Sequence, residues 1–147
     1  MKKEVYRDYA TAAYIFWAHK GYITGDEFIE KVKQKAIRES KNEEPADANR
    51  YIRACVTNHL ASKKDIEACC KAFSLFEESG KEYICDAVRS VYGIYPFFTI
   101  RRGDITARVR AYAHSANTDE RNVYRWLEQA RKTFAAMRGL RFDDEVE

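Results

Sequence analysis

The sequence lacks a long apolar run. None of its hydrophobic stretches approaches the roughly 20 residues that a transmembrane helix needs. Its N-terminal segment, MKKEVYRDYA, places acidic and tyrosine residues where a signal peptide would have its hydrophobic region. We therefore expect a cytoplasmic protein without a membrane partner.

Residues that commonly build metal and catalytic sites are present, but without the spacing that such sites require. The three histidines have no second ligand at a zinc-site spacing, and the four cysteines form no C-x-x-C pair. The six glycines are scattered, so there is no glycine-rich loop for a phosphate group. No carboxylate pair or nucleophile signature is recognisable either. We predict that the chain is not an enzyme, has no catalytic residues and binds neither a metal ion nor a cofactor.

The cysteines themselves are predicted to be reduced thiols within the core, with an irregular metal site or a redox switch as the alternatives. Cys69 and Cys70 are adjacent, so on a helix they point to different sides and cannot both enter one core. One of the two is therefore expected to be accessible.

A recurring strand pattern is also missing, whereas apolar residues repeat at helical spacing along most of the chain. We predict an all-α protein of about seven helices, an orthogonal helical bundle that ends in a helix-turn-helix. Residues 1–80 would form a helical body, 81–142 the helix-turn-helix unit and 143–147 an acidic tail, and the first two segments can share one domain. Helices are predicted over Lys3–His19 and Lys81–Tyr92. Other helices are predicted to start at a capping box formed by Thr24 and Glu27 and at N-caps Asp47 and Ser62. The segments Glu39 to Pro45 and Gly93 to Thr99 are predicted to be a loop and a non-helical segment, respectively.

Positive charge is concentrated near the C-terminus. Between Arg101 and Phe142 there are ten basic residues and four acidic ones, a net charge of +6, whereas the whole chain carries only +3. Nearly all of these basic residues are arginines, which suit bidentate contact with phosphate or guanine.

The same segment predicts two helices that meet at a short corner. The second is amphipathic, and its inward residues are predicted to be Val123, Leu127, Ala130, Phe134 and Met137. Thr118 is a suitable N-cap for it, and Gly139 a suitable C-terminal stop. The first helix can have Asp104 as its N-cap. Its inward residues would be Ile105, Val109, Tyr112 and Ala113.

The positions of Ala113, Asn117, Val123 and Trp126 resemble the helix-turn-helix pattern, with a small residue for close approach and an asparagine where a left-handed glycine is usual. VYRWLEQARKTF is similar to the end of sigma-factor region 4 and of related phage late-gene regulators. The resemblance covers the last quarter to third of the chain, and the turn glycine of the pattern is missing. It implies that residues 119–138 form a recognition helix in the major groove of double-stranded DNA.

On this interpretation the outward side chains of the last helix contact DNA. The predicted base contacts are Arg121, Asn122 and Arg125. The predicted phosphate contacts are Arg101, Arg102, Arg108, Thr118 and Lys132. Because one such motif reads only a few base pairs, a homodimer is expected, and RNA polymerase is a candidate partner.

An alternative explanation is a helical protein-interaction module that does not bind DNA. In that case the partner would contact the aromatic stripe of the N-terminal helix, which is Tyr6, Tyr9, Ala13, Phe16 and Trp17. The simplest explanation of that stripe is core packing. Likewise, an arginine-rich helix face and a polar corner also occur in ordinary helical hairpins.

Overall fold

The computed structural model describes residues 3–93 and 103–140. Within these ranges the chain forms seven α-helices and no strand, so the predicted all-α fold is confirmed there. The helices are α1 (Lys3–His19), α2 (Gly25–Glu39), α3 (Pro45–Asn58), α4 (Leu60–Glu78), α5 (Glu82–Tyr92), α6 (Asp104–Ser115) and α7 (Glu120–Arg138). Most of the predicted non-helical segment from Gly93 to Thr99, and the predicted acidic tail, lie outside the described residues.

Helix starts follow the local signals only in part. The capping box of α2 is confirmed, since the Thr24 hydroxyl accepts from the Glu27 N–H at 3.1 Å and the Glu27 carboxylate accepts from the Thr24 N–H at 2.9 Å. The predicted cap at Asp47 is wrong, because α3 already begins at Pro45, whose fixed φ and missing N–H suit the first position of a helix. The predicted cap at Asp104 is wrong as well, because α6 already includes Asp104 and its N-cap residue is Gly103. The predicted cap at Ser62 is also wrong. The backbone of His59 both ends α3 and begins α4, which leaves no separate cap.

Four of the described helices end in a shared backbone motif. In each, a residue with positive φ follows the helix, and the next N–H donates to a carbonyl five residues earlier. Three of these positive-φ residues are glycines, and the fourth, after α6, is Asn117. Asn117 therefore takes, between α6 and α7, the place that a glycine has at the other three helix ends.

One buried core joins the two ends of the chain. α7 lies against α1, α4, α5 and α6. Tyr14 of α1, only 1% exposed, lies at the centre, where its ring is 5.7 Å from that of Phe134 in α7 and its hydroxyl donates to the Ala130 carbonyl at 2.7 Å. Residues before and after position 80 thus contribute to the same core.

The aromatic stripe of α1 is mostly internal. Tyr6 and Trp17 are buried, and the Trp17 indole N–H donates to the Ile23 carbonyl at 2.9 Å. Tyr9 is half-buried and donates its hydroxyl hydrogen to Asp65 at 2.8 Å. These residues therefore pack the fold and leave little aromatic surface for a partner.

By contrast, α3 contributes no buried residue, because it lies mainly along α2 at the edge of the fold. Tyr51 of α3 and Leu60, the first residue of α4, are both exposed. Ile37 of α2 is likewise 46% exposed.

The two adjacent thiols differ as expected, with Cys69 buried and Cys70 half-buried. Burial raises the pKa of both thiols above the usual value.

Candidate nucleic-acid interface

The connection between α6 and α7 is a tightly hydrogen-bonded corner of residues 116–119. Asn117 adopts a left-handed conformation with φ of 55°, as its position predicts. Its N–H donates to the His114 carbonyl at 3.2 Å, and the Thr118 N–H donates to the Ala113 carbonyl at 2.9 Å. These bonds satisfy two carbonyls that the end of α6 would otherwise leave unpaired. The direction in which the chain leaves α6 is therefore fixed by backbone geometry.

Small and apolar side chains hold the two helices together behind this corner. Ala113 is only 3% exposed, and Val109 and Val123 are buried beside it in the core. Trp126 is half-buried, and its ring lies 4.9 Å from that of Tyr83 in α5. α5, α6 and α7 all contact one another, so the corner lies within a group of three packed helices.

The start of α7 differs from the prediction by one residue. Asp119, and not Thr118, is the N-cap residue, and its side chain makes no capping hydrogen bond. The reason is that the backbone motif ending α6 extends through Thr118, so the chain can enter α7 only after it. The Thr118 hydroxyl instead accepts a hydrogen bond from the Asn122 side-chain amide at 3.0 Å.

The corner makes a direct prediction about stability. Asn117→Ala should lower the free energy of unfolding by about 1 kcal/mol, since a left-handed conformation is unfavourable for an ordinary L-residue, whereas Asn117→Gly should cause no loss. Urea unfolding followed by circular dichroism would measure both variants. Asn49→Ala, at an exposed position within α3, is the matched control. Equal stability of the Ala and Gly variants would contradict the proposed role of the left-handed residue.

α7 separates its apolar and polar faces clearly. Val123, Leu127, Ala130 and Phe134 are buried, as predicted. Met137 is the exception at 37% exposed, because it lies in the last turn of α7 at the edge of the core. The exposed side chains of the outward face are Arg121, Tyr124, Arg125, Gln129 and Lys132. A polar, partly cationic surface about three turns long thus follows directly after the corner.

The three predicted base-contact residues are neighbours near the start of α7. Arg125 donates from Nη2 to Oδ1 of Asn122 at 3.0 Å, and the amide nitrogen of Asn122 donates to Thr118. Asn122 is half-buried, and both ends of its amide have a partner within the chain. Arg121 is exposed and forms no ion pair within the described part of the chain. The two arginines therefore present most of their donors to solvent, whereas Asn122 holds one of them in place.

The predicted phosphate contacts are less uniform. Arg108 is half-buried and donates to the Val91 carbonyl at 2.9 Å, so it closes the end of α5 rather than extending from the surface. Lys132 is exposed and lies 3.2 Å from the carboxylate of Glu128. Thr118 is half-buried at the corner. Arg101 and Arg102 lie outside the described residues.

Two arginines have positions that sequence spacing did not predict. Arg131, which has the position of a surface cation on the helix, points inward and donates to the Tyr92 hydroxyl at 2.8 Å. Arg110, to which the sequence assigned no role, is exposed and lies 3.7 Å from Glu120 at the first turn of α7. A surface cation therefore stands on the α6 side of the corner.

No protein family, curated protein or solved structure matches this chain. The corner and the outward face of α7 are therefore the observations from which a function can be argued. Across residues 3–93 and 103–140, no group of three or more histidine, cysteine, aspartate or glutamate side chains is arranged to hold a metal ion. A helix with the length and apolar character needed to cross a membrane does not occur in the described part of the chain.

Proposed function

We propose that this protein binds double-stranded DNA in a sequence-specific manner and regulates transcription, in the way of phage or mobile-element regulators. The observation that carries the proposal is the left-handed Asn117 corner followed, within the first two turns of α7, by exposed Arg121 and Arg125. The likeness of residues 123–134 to sigma-factor region 4 agrees with this arrangement. A cytoplasmic location, where DNA is accessible, belongs to the same proposal.

In this proposal the N-terminal half of α7 enters the major groove. Arg121 and Arg125 are four residues apart, so they lie on one face and can reach neighbouring base pairs. Arginine pairs with the O6 and N7 atoms of guanine through two hydrogen bonds. The N-terminus of α7 would lie beside the sugar-phosphate backbone of the DNA, because the free N–H groups and the dipole of the helix favour a phosphate there.

Asn122 has a different part in this arrangement. Its amide oxygen already accepts from Arg125, and its nitrogen donates to Thr118, so a bidentate contact with adenine would require both hydrogen bonds to break. Asn122 is therefore better placed to orient Arg125 than to contact a base. We accordingly expect the preferred sites to contain guanine at the positions that the two arginines reach.

The remaining parts of the proposal concern assembly. A single corner of this size would contact only a few base pairs, so two copies on paired half-sites would raise both affinity and specificity. RNA polymerase is the partner that the sigma-like segment suggests. The buried positions of Tyr6 and Trp17 weigh against the alternative in which the aromatic stripe of α1 is the binding surface.

Fluorescence anisotropy with labelled duplexes tests the proposal. Pools of random duplexes should bind at low salt, and the logarithm of the association constant should fall linearly with the logarithm of salt between about 50 and about 200 mM, as phosphate contacts release counterions. Repeated selection from the pool should then enrich a guanine-containing motif. Absence of binding at the lowest salt, or binding without any enriched motif, would reject sequence-specific DNA recognition.

A further inference from the structure

A second surface lies among the first four helices, away from the residues of the α6–α7 corner. It is a groove of about 360 Å³ between the end of α1, one face of α2 and the junction of α3 with α4. The residues that line it are Phe16, Lys20, Ile23, Phe28, Lys31, Val32, Lys35, His59 and Ser62. None of these residues belongs to the helices of the proposed DNA-binding unit, so the groove has no part in that function.

The floor of the groove is apolar and well supported. The rings of Phe16 and Phe28 meet edge to face with centroids 5.8 Å apart, and the His59 ring lies 5.9 Å from that of Phe28. Val32 is half-buried one turn beyond Phe28 on α2. Phe28 is itself buried in the main core, so the floor is a fixed part of the fold.

The rim of the groove carries charge of one sign. Lys20, Lys31 and Lys35 are all exposed, and the groove has no acidic lining residue. Within the described ranges none of the three forms an ion pair, whereas nearby Lys63 lies 3.5 Å from Asp26. Lys20 instead lies over the Phe16 ring, 5.4 Å from its centroid. The rim therefore offers three cations without an ion-pair partner in the described part of the chain, and the charge of Lys31 and Lys35 is offset only in part by Glu27 and Glu30 in a neighbouring hollow.

We propose that this groove binds an acidic amphipathic segment of another protein, in which leucine or phenylalanine side chains fill the floor and carboxylates meet the lysines. Charge complementarity supports this occupant, because unpaired lysines around an apolar floor favour a ligand that carries both kinds of group. The spacing agrees as well. Lys31 and Lys35 are one helical turn apart, as are Phe28 and Val32, so cationic and apolar rows run side by side along α2.

The form of the site favours a peptide segment over a small molecule. The groove is partly open to solvent, whereas small-molecule sites usually bury most of their ligand. A helix laid along α2 would cover the apolar floor and reach the lysines of the rim. Because α7 lies elsewhere, such a partner and DNA could be bound together.

A synthetic peptide tests the proposal on the full chain. The probe is a fluorescein-labelled peptide of about 14 residues, or about four helical turns, with leucine and phenylalanine at i, i+3, i+4 and i+7 and glutamate at most other positions. We expect saturable anisotropy binding that weakens with added salt. The double variant Lys31→Glu with Lys35→Glu should weaken it by about tenfold or more, since each attraction becomes a repulsion.

Matched controls separate the groove from general charge. Lys33→Glu with Lys64→Glu makes the same change of charge at exposed lysines outside the groove, and should bind the probe nearly as well as the unmodified chain does. A peptide with lysine in place of every glutamate keeps the apolar positions and should not bind. Circular dichroism should show all variants folded, since the altered residues are exposed.

The remaining outcomes would overturn the proposal. Equal loss in both double variants would mean that binding is unspecific, and no binding by the unmodified chain would reject the site. If the peptide does not bind, but laurate displaces an environment-sensitive dye from the groove, the ligand is a fatty-acid anion and not a protein segment. If sedimentation shows a dimer that Lys31→Glu with Lys35→Glu dissociates, the occupant is a second copy of this chain. DNA binding is measured separately, so its failure would not decide any of these results.

Discussion

Replacing Arg121 and Arg125 together with alanine is expected to reduce affinity for the selected duplex by about 30-fold or more. Each well-placed contact between an arginine and a guanine contributes about 1–3 kcal/mol to discrimination, so the loss of two should exceed about 2 kcal/mol. Both side chains are exposed and lie outside the core, so the melting temperature should hardly change. Anisotropy titrations and thermal melts of the same preparations would measure the two quantities.

The control removes the same charge from another part of the surface. Lys33→Ala with Arg53→Ala changes exposed residues of α2 and α3 and should leave the affinity for the selected site nearly intact. If this control binds as weakly as the Arg121 and Arg125 variant, the attraction is general and α7 is not a recognition helix. If neither variant loses affinity, the outward face of α7 does not contact DNA.

Asn122 supplies a sharper test of the same arrangement. If it acts by holding Arg125, then Asn122→Ala should weaken binding in the unmodified chain but have little further effect once Arg125 is alanine. Two independent base contacts would instead give additive losses. A double-mutant cycle with these two positions therefore distinguishes an orienting asparagine from one that reads adenine.

Local sequence signals predicted several backbone features of the fold. The capping box at Thr24 and the stop at Gly139 depend on hydrogen bonds and φ values within a few neighbouring residues, and both are confirmed. The left-handed conformation of Asn117 belongs to the same class, because few other side chains tolerate it. The burial of Val123 and Leu127 followed from helical periodicity alone.

The contacts of side chains were harder to predict, because they depend on which helices pack against each other. Arg108 and Arg131 look like surface cations in the sequence, yet one donates to the Val91 carbonyl and the other to the Tyr92 hydroxyl, both in α5. Tyr14 was not singled out by the stripe of α1, although it lies at the centre of the core. A pattern within one helix contains no information about such partners.

The edge position of α3 has the same origin. Its spacing of apolar residues predicts a buried face, but periodicity shows only that a face exists and not that another layer covers it. α2 is the main neighbour of α3, so Tyr51 remains exposed and its hydroxyl donates to Glu39 at 2.8 Å. That contact, together with a nearby thiol, raises the pKa of Tyr51 to about 12. The groove beside α2 was invisible in the sequence for the same reason.

The second large effect is expected in the core. Phe134→Ala should lower the free energy of unfolding by about 3–5 kcal/mol, because it removes a buried ring and leaves a cavity. Phe134 is fully buried, and its ring lies 5.7 Å from that of Tyr14 and 6.1 Å from that of Tyr9. Since small domains are stable by only about 5–15 kcal/mol, the variant should unfold at a much lower urea concentration. Leu75→Ala, at an exposed position on α4, should change little.

The two tryptophans of the chain decide whether this loss is local or shared. Trp17 lies in α1 and Trp126 in α7. The variant Trp126→Phe keeps only Trp17, which reports on the first 80 residues. The variant Trp17→Phe keeps only Trp126, which reports on the last 60. Because Phe134 packs against α1, Phe134→Ala should move both unfolding midpoints together. A shift seen only by Trp126 would mean that α7 and the helices packed around it unfold alone, despite the contact of α7 with Tyr14. A shared shift would make the helical body a necessary support for α7, because the contacts that hold α7 against the first helix would then stabilise the whole chain.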